Sequence, residues 1–396
     1  MDIIIVGAGA AGLVAGIEAA KNGANVTILE KNEKPGKKIL ASGNGRCNLT
    51  NVDQSKDAYR GENPDFAWNI INQFGHFDAM QFFTKIGVYT KNKNGYIYPY
   101  SEQAASVLEI LLKEAEYLKI KIKTLEEIVK IKPLDEGFEV ISKTWTYQGD
   151  KVIITAGSMA SPQLGGSDSG YALAQALGQP LIKPLPALVA LEGVGEYFAR
   201  WSGVRMEGKV TLLVDNVPEV SSEGEIQFTD YGVSGIPIFD ISRFATRAID
   251  DGSQVIVVLD LMPDFTEEFL IGLLESRIEN CPYKNLQESL VGLIPKKMIP
   301  IVANTDKTLR EVATWIKCYP VLVKRAHSLL QAQVCSGGVD TKELNPQTLE
   351  SKLVPGLYFA GEIVDIDGKC GGYNLQWAWS SGTIAGKNAS QGEKLK

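Results

Sequence analysis

"DIIIVGAGAAGLVAGIEAAKNGANVTILEK", from Asp2 to Lys31, decides the fold. It opens with a β-branched run, Ile3 to Val6, that reads as a buried strand. Gly7, Gly9 and Gly12 then form a GxGxxG pattern. Leu13 to Lys21 reads as a helix, and Asn25 to Glu30 as a second strand. Each glycine has a separate task in such a unit. The first permits the tight turn, the second lets the backbone approach a pyrophosphate, and the third lets helix and strand pack closely. The helix start contributes free N–H groups and partial positive charge. Glu30 follows Gly12 at the spacing where a carboxylate meets ribose hydroxyls. The alternative is a tight βα turn with no ligand, but strand, glycines, helix, strand and acid within one short stretch favour a dinucleotide. NAD and FAD stay open at this point. An acid at position 30 disfavours NADP here, because it repels a 2′-phosphate.

The next stretch, "KNEKPGKKILASGNGRCNLTN", departs from further βα units and reads as a long loop. Gly36, Gly43 and Gly45 allow close backbone approach to a flat or anionic group, and Lys37, Lys38 and Arg46 add positive charge. The loop is expected to make a second contact with an extended cofactor; a solvated basic loop is the alternative. Cys47 beside Arg46 admits a reactive thiol, but a small buried packing residue is the expected role.

The remaining composition narrows the class. The chain has 396 residues, 44% hydrophobic and 22% charged, with net charge −7. That allows two or three domains. It advertises no basic surface for nucleic acid or anionic membrane. The odd number of cysteines, five with no CxxC pair, argues against a disulfide framework and a structural zinc site, and two histidines argue against a histidine-based metal centre, so no metal site is expected. The apolar start lacks the positive leading segment of a signal peptide, and no apolar run reaches spanning length. The expected location is the cytoplasm.

Residues 102–118 have the spacing of an amphipathic helix, and Val152 to Thr155 reads as a buried strand followed by a helix within 166–178. Prolines at 180, 184 and 186 mark a boundary. A β-rich stretch follows, then a helical one, with no repeat and no second GxGxxG. The expected domains are 1–186 with 334–396, a β-rich insert of 187–262 with 320–333, and a helical subdomain of 263–319.

"GKCGGYNLQWAWSSGTIAG", Gly368 to Gly386, brings the chain back. Gly371 and Gly372 precede a helix from about Asn374. A helix N-terminus carries roughly half a positive charge. Aimed at the N1–C2=O edge of an isoalloxazine, it stabilises the negative charge of the reduced ring, and paired glycines would let the backbone lie against that ring. Trp377 and Trp379 fall on different sides of the helix and read as packing residues. An ordinary helix after a glycine turn is the alternative.

Three stretches together resemble a known family: "EKNEKPGKKILASGNGRCNLTN", "GEIQFTDYGVSGIPIFDISR" and "CSGGVDTKELNPQTLESKLVPGLYFAGEIVDIDGKCGGYNLQWAWSSG". They are similar to the BaiN/YhiN-like bacterial flavoproteins, which include aminoacetone oxidase and a bile-acid-pathway reductase. The resemblance runs over essentially the whole chain. It implies an α/β fold: a glutathione-reductase-type FAD-binding Rossmann domain with an inserted β-barrel-like domain carrying a small helical subdomain. By motif position it implies FAD contacts at Gly7, Gly9, Ala11, Gly12, Glu30, Lys31, Lys38, Ser42, Gly43, Cys47 and Asn48. Val129 should lie near the adenine, and Ala156, Gly157, Glu362, Asp367, Gly372, Asn374 and Leu375 should complete the site. Three departures stand out. The family's usual Thr-His is Thr229-Asp230, with the proline displaced by Ile236 to Pro237. Asp168-Ser169-Gly170-Tyr171 replaces Gly-Asp-Gly-Tyr, and Ser336 replaces a threonine. No catalytic role is therefore carried to position 230, and no catalytic residue is assigned.

The expected activity is FAD-dependent oxidoreduction of a small organic molecule. An amine oxidase of aminoacetone-oxidase type using O₂ stands first, and an NAD(P)H-dependent reductase of an unsaturated or oxo substrate is the alternative. A flavin-binding RNA-modification protein and a plain NAD dehydrogenase stand further back. Residues 230–235 and 334–339 are expected as loops lining the substrate site. Substrate, oligomeric state and any acid/base group stay open.

Overall fold

The computed structural model describes residues 1–303 and 307–391. Three residues of the expected helical subdomain and the last five of the expected first domain lie outside them. The chain forms two compact units, one of Met1–Pro184 with the chain from Val334 on, the other of Leu185–Gln333.

The first unit is built on a parallel sheet. Strand β1 (Asp2–Val6) leads through helix α1 (Ala10–Lys21) to β2 (Asn25–Leu29). Three further strands join them: β3 (Lys121–Lys123), β4 (Lys151–Ile154) and β5 (Leu357–Phe359). The order is β5-β4-β1-β2-β3. In register, Ile3 faces Val26 of β2 and Lys151 of β4, and Val152 faces Leu357 of β5. Strands covered on both faces need no apolar–polar alternation, so Ile3, Ile4 and Ile5 are all buried. Each such side chain contributes about 1.5–3 kcal/mol.

Helix α2 (Tyr373–Ser390) packs along α1 through small residues. A Cβ on Gly382 would lie 2.5 Å from the Ala11 carbonyl oxygen, and one on Gly386 would lie 2.2 Å from that of Ala15. Four residues later on one helix meet four residues later on the other, so the two run parallel. The sequence places Trp377 and Trp379 on different sides, and both are buried: Trp377 Nε1 donates to Gly361 O at 3.0 Å and Trp379 Nε1 to Leu49 O at 2.9 Å. Helix Ala104–Tyr117 also packs on α1. The strands Ile128–Pro133, Phe138–Ser142 and Thr146–Gly149 form a separate antiparallel sheet.

The second unit is a closed barrel of six strands, in order Leu191–Gly193, Gly232–Ser234, Val217–Phe228, Arg205–Val214, Val255–Asp260 and Tyr319–Ala326. Helix Ile236–Asp250 packs against it through Ile238, Ile241 and Ala245. Helices Glu267–Asn280 and Leu309–Lys317 lie between the last two strands in sequence. Thr308 and Glu311 form a capping box on the second, and Lys317 returns to Asp260 at 2.7 Å. Rossmann sheet and barrel are the architecture the resemblance implies. Two expected loops are strands instead: Val334–Val339 is entirely buried, and Gly232–Ser234 belongs to the barrel. Val334–Val339 is buried on every residue, which suits its small central side chains, and the glycines of both strands mark close approach rather than loops. Among the described residues no helix is long and apolar enough to cross a membrane, and no cluster could hold a metal ion.

Candidate functional site

The three fingerprint glycines occupy three different environments. Gly7 has φ +105°, and its N–H donates to Leu29 O at 2.8 Å. A Cβ on Gly12 would lie 2.0 Å from Gly7 O and 2.6 Å from Thr155 Oγ1. Only glycine lets α1 sit that close to the turn. Gly9 caps α1, and a Cβ there would meet nothing within 4 Å. The turn is tight where it touches the protein and open where a ligand would approach. Thr155 supports it from β4's end, its hydroxyl donating toward Val6 O and Gly7 O at 3.0 and 2.9 Å. The next residues, Ala156 and Gly157, pass beside Gly7. Gly157, at φ +75°, also has open space where its Cβ would be.

Glu30 closes β2's end and is buried. Its Oε2 accepts from Ala8 N at 2.8 Å, tying the acid to the glycine turn. Its Oε1 accepts from Asn32 N at 2.8 Å and Asn32 Nδ2 at 2.6 Å. Glu30 O also accepts from Glu126 N at 2.9 Å, which brings the 124–129 segment alongside. In that segment Val129 sits at a register shift and is half exposed. Lys31 bonds Ser167 Oγ. Burial pushes its ammonium below the ordinary lysine range, against the opposing charges of Glu30, Glu127 and Asp168.

The stretch after Glu30 is not one long loop. Lys37–Ala41 is a short helix and Ser42–Gly45 a 3₁₀ turn. Gly36 enters it at φ +69°, where a Cβ would strike Leu108 at 2.3 Å, so this glycine serves packing. Lys38 Nζ reaches Glu362 Oε2 at 2.5 Å, and Ser158 Oγ donates to the same oxygen at 2.9 Å. Ser42 Oγ donates to Ile39 O at 2.6 Å. Gly43 (φ +55°) brings its backbone against Asn48 N. Cys47 is fully buried, and burial pushes its thiol up to about 11. It is a packing residue, as expected. Asn48 is buried beside it, and its Oδ1 has no hydrogen-bond partner.

The returning chain completes the site. Asp367 is buried in a two-residue ladder opposite Arg60. Asn374 folds back onto Gly368: its Oδ1 accepts from Gly368 N at 2.9 Å, and its Nδ2 donates to Gly368 O at 3.0 Å. Leu375 packs at the core's margin. Gly371 and Gly372 have φ of +122° and +99°. The sequence reading keeps them bare for a ring. Their Cβ directions are instead filled by protein: Tyr96 at 2.9 Å for Gly371, Thr50 C at 2.8 Å and Asn48 Oδ1 at 2.9 Å for Gly372. The pair is glycine because the strand Thr50–Asn51 runs against it. Helix α2 begins nine residues before Gly382, whereas α1 begins one residue before Ala11. At about 1.5 Å per residue, its tip projects roughly 12 Å beyond α1's in the same direction. Two positive helix ends thus stand staggered along one side of the unit.

The expected residues fall into a connected path. Gly7, Gly9, Ala11, Gly12, Ala156 and Gly157 lie in or beside the turn, Glu30 is bonded to it through Ala8 N with Lys31 next in sequence, and Val129 lies in the segment that pairs with Glu30 O through Glu126. Lys38, Ser42, Gly43, Cys47, Asn48, Glu362, Asp367, Gly372, Asn374 and Leu375 extend toward α2's tip. Thr155 and Ser158 were not foreseen; the serine-threonine steps around Ala156 carry no pattern of their own. A separate groove of about 350 Å³, lined by Leu40, Leu108 and Leu112 among others, contains none of these expected residues.

A parallel sheet with a glycine turn, an acid at the end of the second strand and a returning C-terminal helix is a Rossmann dinucleotide-binding arrangement, and the protein is a flavin-dependent oxidoreductase by class. The chain belongs to the HI0933-like protein Rossmann domain family, which matches residues 1–388. It is 42% identical over 98% of both chains to the 3-dehydro-bile acid delta(4,6)-reductase of Clostridium scindens. It is 30% identical over 96% of both to the ribosomal RNA dihydrouridine synthase of Haemophilus influenzae. Among solved structures it is similar to a flavocytochrome c3 fumarate reductase in its open conformation, at 17% identity and TM-score 0.48, covering 98% of this chain and 78% of that one.

Proposed function

We propose that this protein holds FAD along the path just described and reduces a carbon–carbon double bond conjugated to a carbonyl in a small organic molecule, with NAD(P)H as electron donor. The residues fit the cofactor. The Cβ directions of Gly9 and Gly157 are open, and Asn48 presents a buried acceptor with no partner to an N–H donor. Glu30 would take the ribose hydroxyls, α1's start the diphosphate, Val129 the adenine face, and Lys38 with Glu362 the middle of the molecule. When bound, FAD supplies hydride chemistry; the protein orients it and excludes competing reactions. The tip of α2 would favour negative charge on the ring system.

The observation that carries the choice of reaction is full-length 42% identity to a protein named as a delta(4,6)-reductase. The relatives named as dihydrouridine synthases point the same way. Both names describe saturation of a double bond conjugated to a carbonyl. This supports the reductase alternative over the amine oxidase placed first from the sequence. A second reading, reduction of a uracil base in RNA, draws on the 30% identical relatives. Net charge −7 favours a small molecule over a polyanion.

Anaerobic mixing tests the choice. The yellow protein should bleach with NADH or NADPH and recolour on adding a 3-oxo-Δ4 bile acid. Bleaching by amines, or recolouring by ribosomal RNA alone, would replace this reading with the corresponding rival.

A further inference from the structure

The first unit carries an apolar groove for which the cofactor path has no use. It is lined by Leu108 and Leu112 of helix Ala104–Tyr117 and by Leu40 of the short helix Lys37–Ala41, with Ala105 beside them. Leu108 is buried, but Leu40 stands 41% exposed, a large apolar side chain left in water. The longer helix buries Ala104, Val107, Leu108, Leu111 and Ala115 against the first unit. At about 3.6 residues per turn, its opposite side carries Ala105, Glu109, Lys113, Glu116 and Tyr117, and all five are exposed. Tyr117 is the extreme case at 80%.

The charges on this face select what covers it. Glu109, Lys113 and Glu116 follow one another at helical-turn spacing, acid, base, acid. Lys113 Nζ already meets Glu116 Oε2 at 2.9 Å. A partner surface of one sign is repelled by part of such a row. A second copy, turned about a two-fold axis at the level of Leu111, is not. In that register Glu109 of each copy opposes Lys113 of the other, so each lysine lies between its own Glu116 and the second copy's Glu109. Sliding the helices by one turn in either direction sets Glu109 against Glu109, or Lys113 against Lys113. The charge-matched register also sets Tyr117 of each copy opposite Ala105 of the other, because both residues are equally far from the axis. A ring with no place in one chain thus meets a small side chain and an open apolar groove in the next. A two-fold contact is self-complementary in this way.

We propose that helix Ala104–Tyr117 is the contact face of a reversible, antiparallel two-fold dimer, in which Tyr117 of each copy seats in the groove of the other. The assignment is independent of the reductase reading. Tyrosine suits the anchoring position, because it brings a large, stiff apolar surface and keeps its hydroxyl at the wet rim. The strip from Ala105 to Tyr117 is about 18 Å long. A single helix pair of that length buries less than the roughly 1,600 Å² of a standard interface. The two forms therefore exchange, with a dissociation constant on the order of 1–100 µM, and the opposed charges fix register more than they add affinity.

Sedimentation velocity of the full-length holoprotein over a dilution series tests this. The mass of the parent should rise from one chain toward two across that concentration range. Glu109→Lys and Lys113→Glu each set like charges opposite one another and should each weaken association at least about 10-fold. Mixed in equal amounts, these two variants should pair with each other as the parent pairs with itself, because every interface charge then meets its opposite. The double variant E109K/K113E should self-associate for the same reason. Tyr117→Ala should weaken association about 10-fold, and Tyr117→Phe should not. Rescue on mixing separates a lost contact from a misfolded chain. A parent that sediments as one chain throughout the series overturns the proposal and leaves the groove to a different partner. A two-chain form that ignores both charge reversals, or that mixing the two variants does not restore, overturns it as well.

Discussion

Gly382 stands so close to Ala11 that a Cβ on it would fall 2.5 Å from the Ala11 carbonyl oxygen. That contact sets how far the end of the chain can approach its beginning, and it separates two roles for glycine. Gly382→Val should force α1 and α2 apart and destabilise the protein by about 1–3 kcal/mol. Gly9→Ala meets no protein atom, so it should unfold with the parent in urea once cofactor is stripped, yet bind FAD more weakly. Parental stability in Gly382→Val would show that the two helices do not meet.

Glu30 holds three N–H groups of Ala8 and Asn32. Glu30→Ala should lower FAD affinity roughly 10- to 100-fold, from the loss of charge-assisted bonds worth about 1.5–3 kcal/mol. Glu30→Gln should do less, because it keeps one acceptor. Flavin-fluorescence titration reads both, and unchanged affinity in the alanine variant would displace the ribose from this position.

Lys38 and Glu362 are joined although 324 residues separate them in sequence. A double-mutant cycle with Lys38→Met and Glu362→Gln should give a coupling energy of about 0.5–3 kcal/mol in cofactor-free unfolding. Additive effects would mean that the pair does not form.

Cys47 gives a pH dependence of definite sign. Its thiol is held at about 11 when folded, against roughly 8.5 in an unfolded chain. The folded protein therefore binds this proton more tightly. The associated stability is fully present below about pH 8.5 and is lost as pH rises through about 11, on the order of 3 kcal/mol in all. Urea midpoints of the parent should fall more steeply across that window than those of Cys47→Ala, and equal slopes would contradict a buried thiol.

Much of the first unit was legible because glycine sterics are local. Gly7, Gly9 and Gly12 announce a turn whose geometry follows from a missing Cβ and from nothing distant. Gly371 and Gly372 look alike in sequence, yet their reason is the strand at Thr50 and the ring of Tyr96, which no spacing reveals. Residues 37–41 read as loop because glycines flank them, but a single helical turn over Leu108 satisfies them. Pairings such as Lys38 with Glu362 or Glu192 with His327 depend on which strands become neighbours. The strand Val334–Val339 read as loop because two of its residues are glycines, although burial on all sides favours small side chains there.

The pairing of Val152 with Leu357 has a consequence for how the molecule is made. Roughly 200 residues separate these neighbours, so at about 5–20 residues per second a ribosome needs some tens of seconds to deliver the final strand. During that interval β4 is an open sheet edge, and the barrel strands, all of which lie between β4 and β5 in sequence, are being made. The nascent nucleotide unit thus waits, half-sheeted, for its own tail, and chaperone demand should persist through synthesis of the barrel until the final strand is delivered.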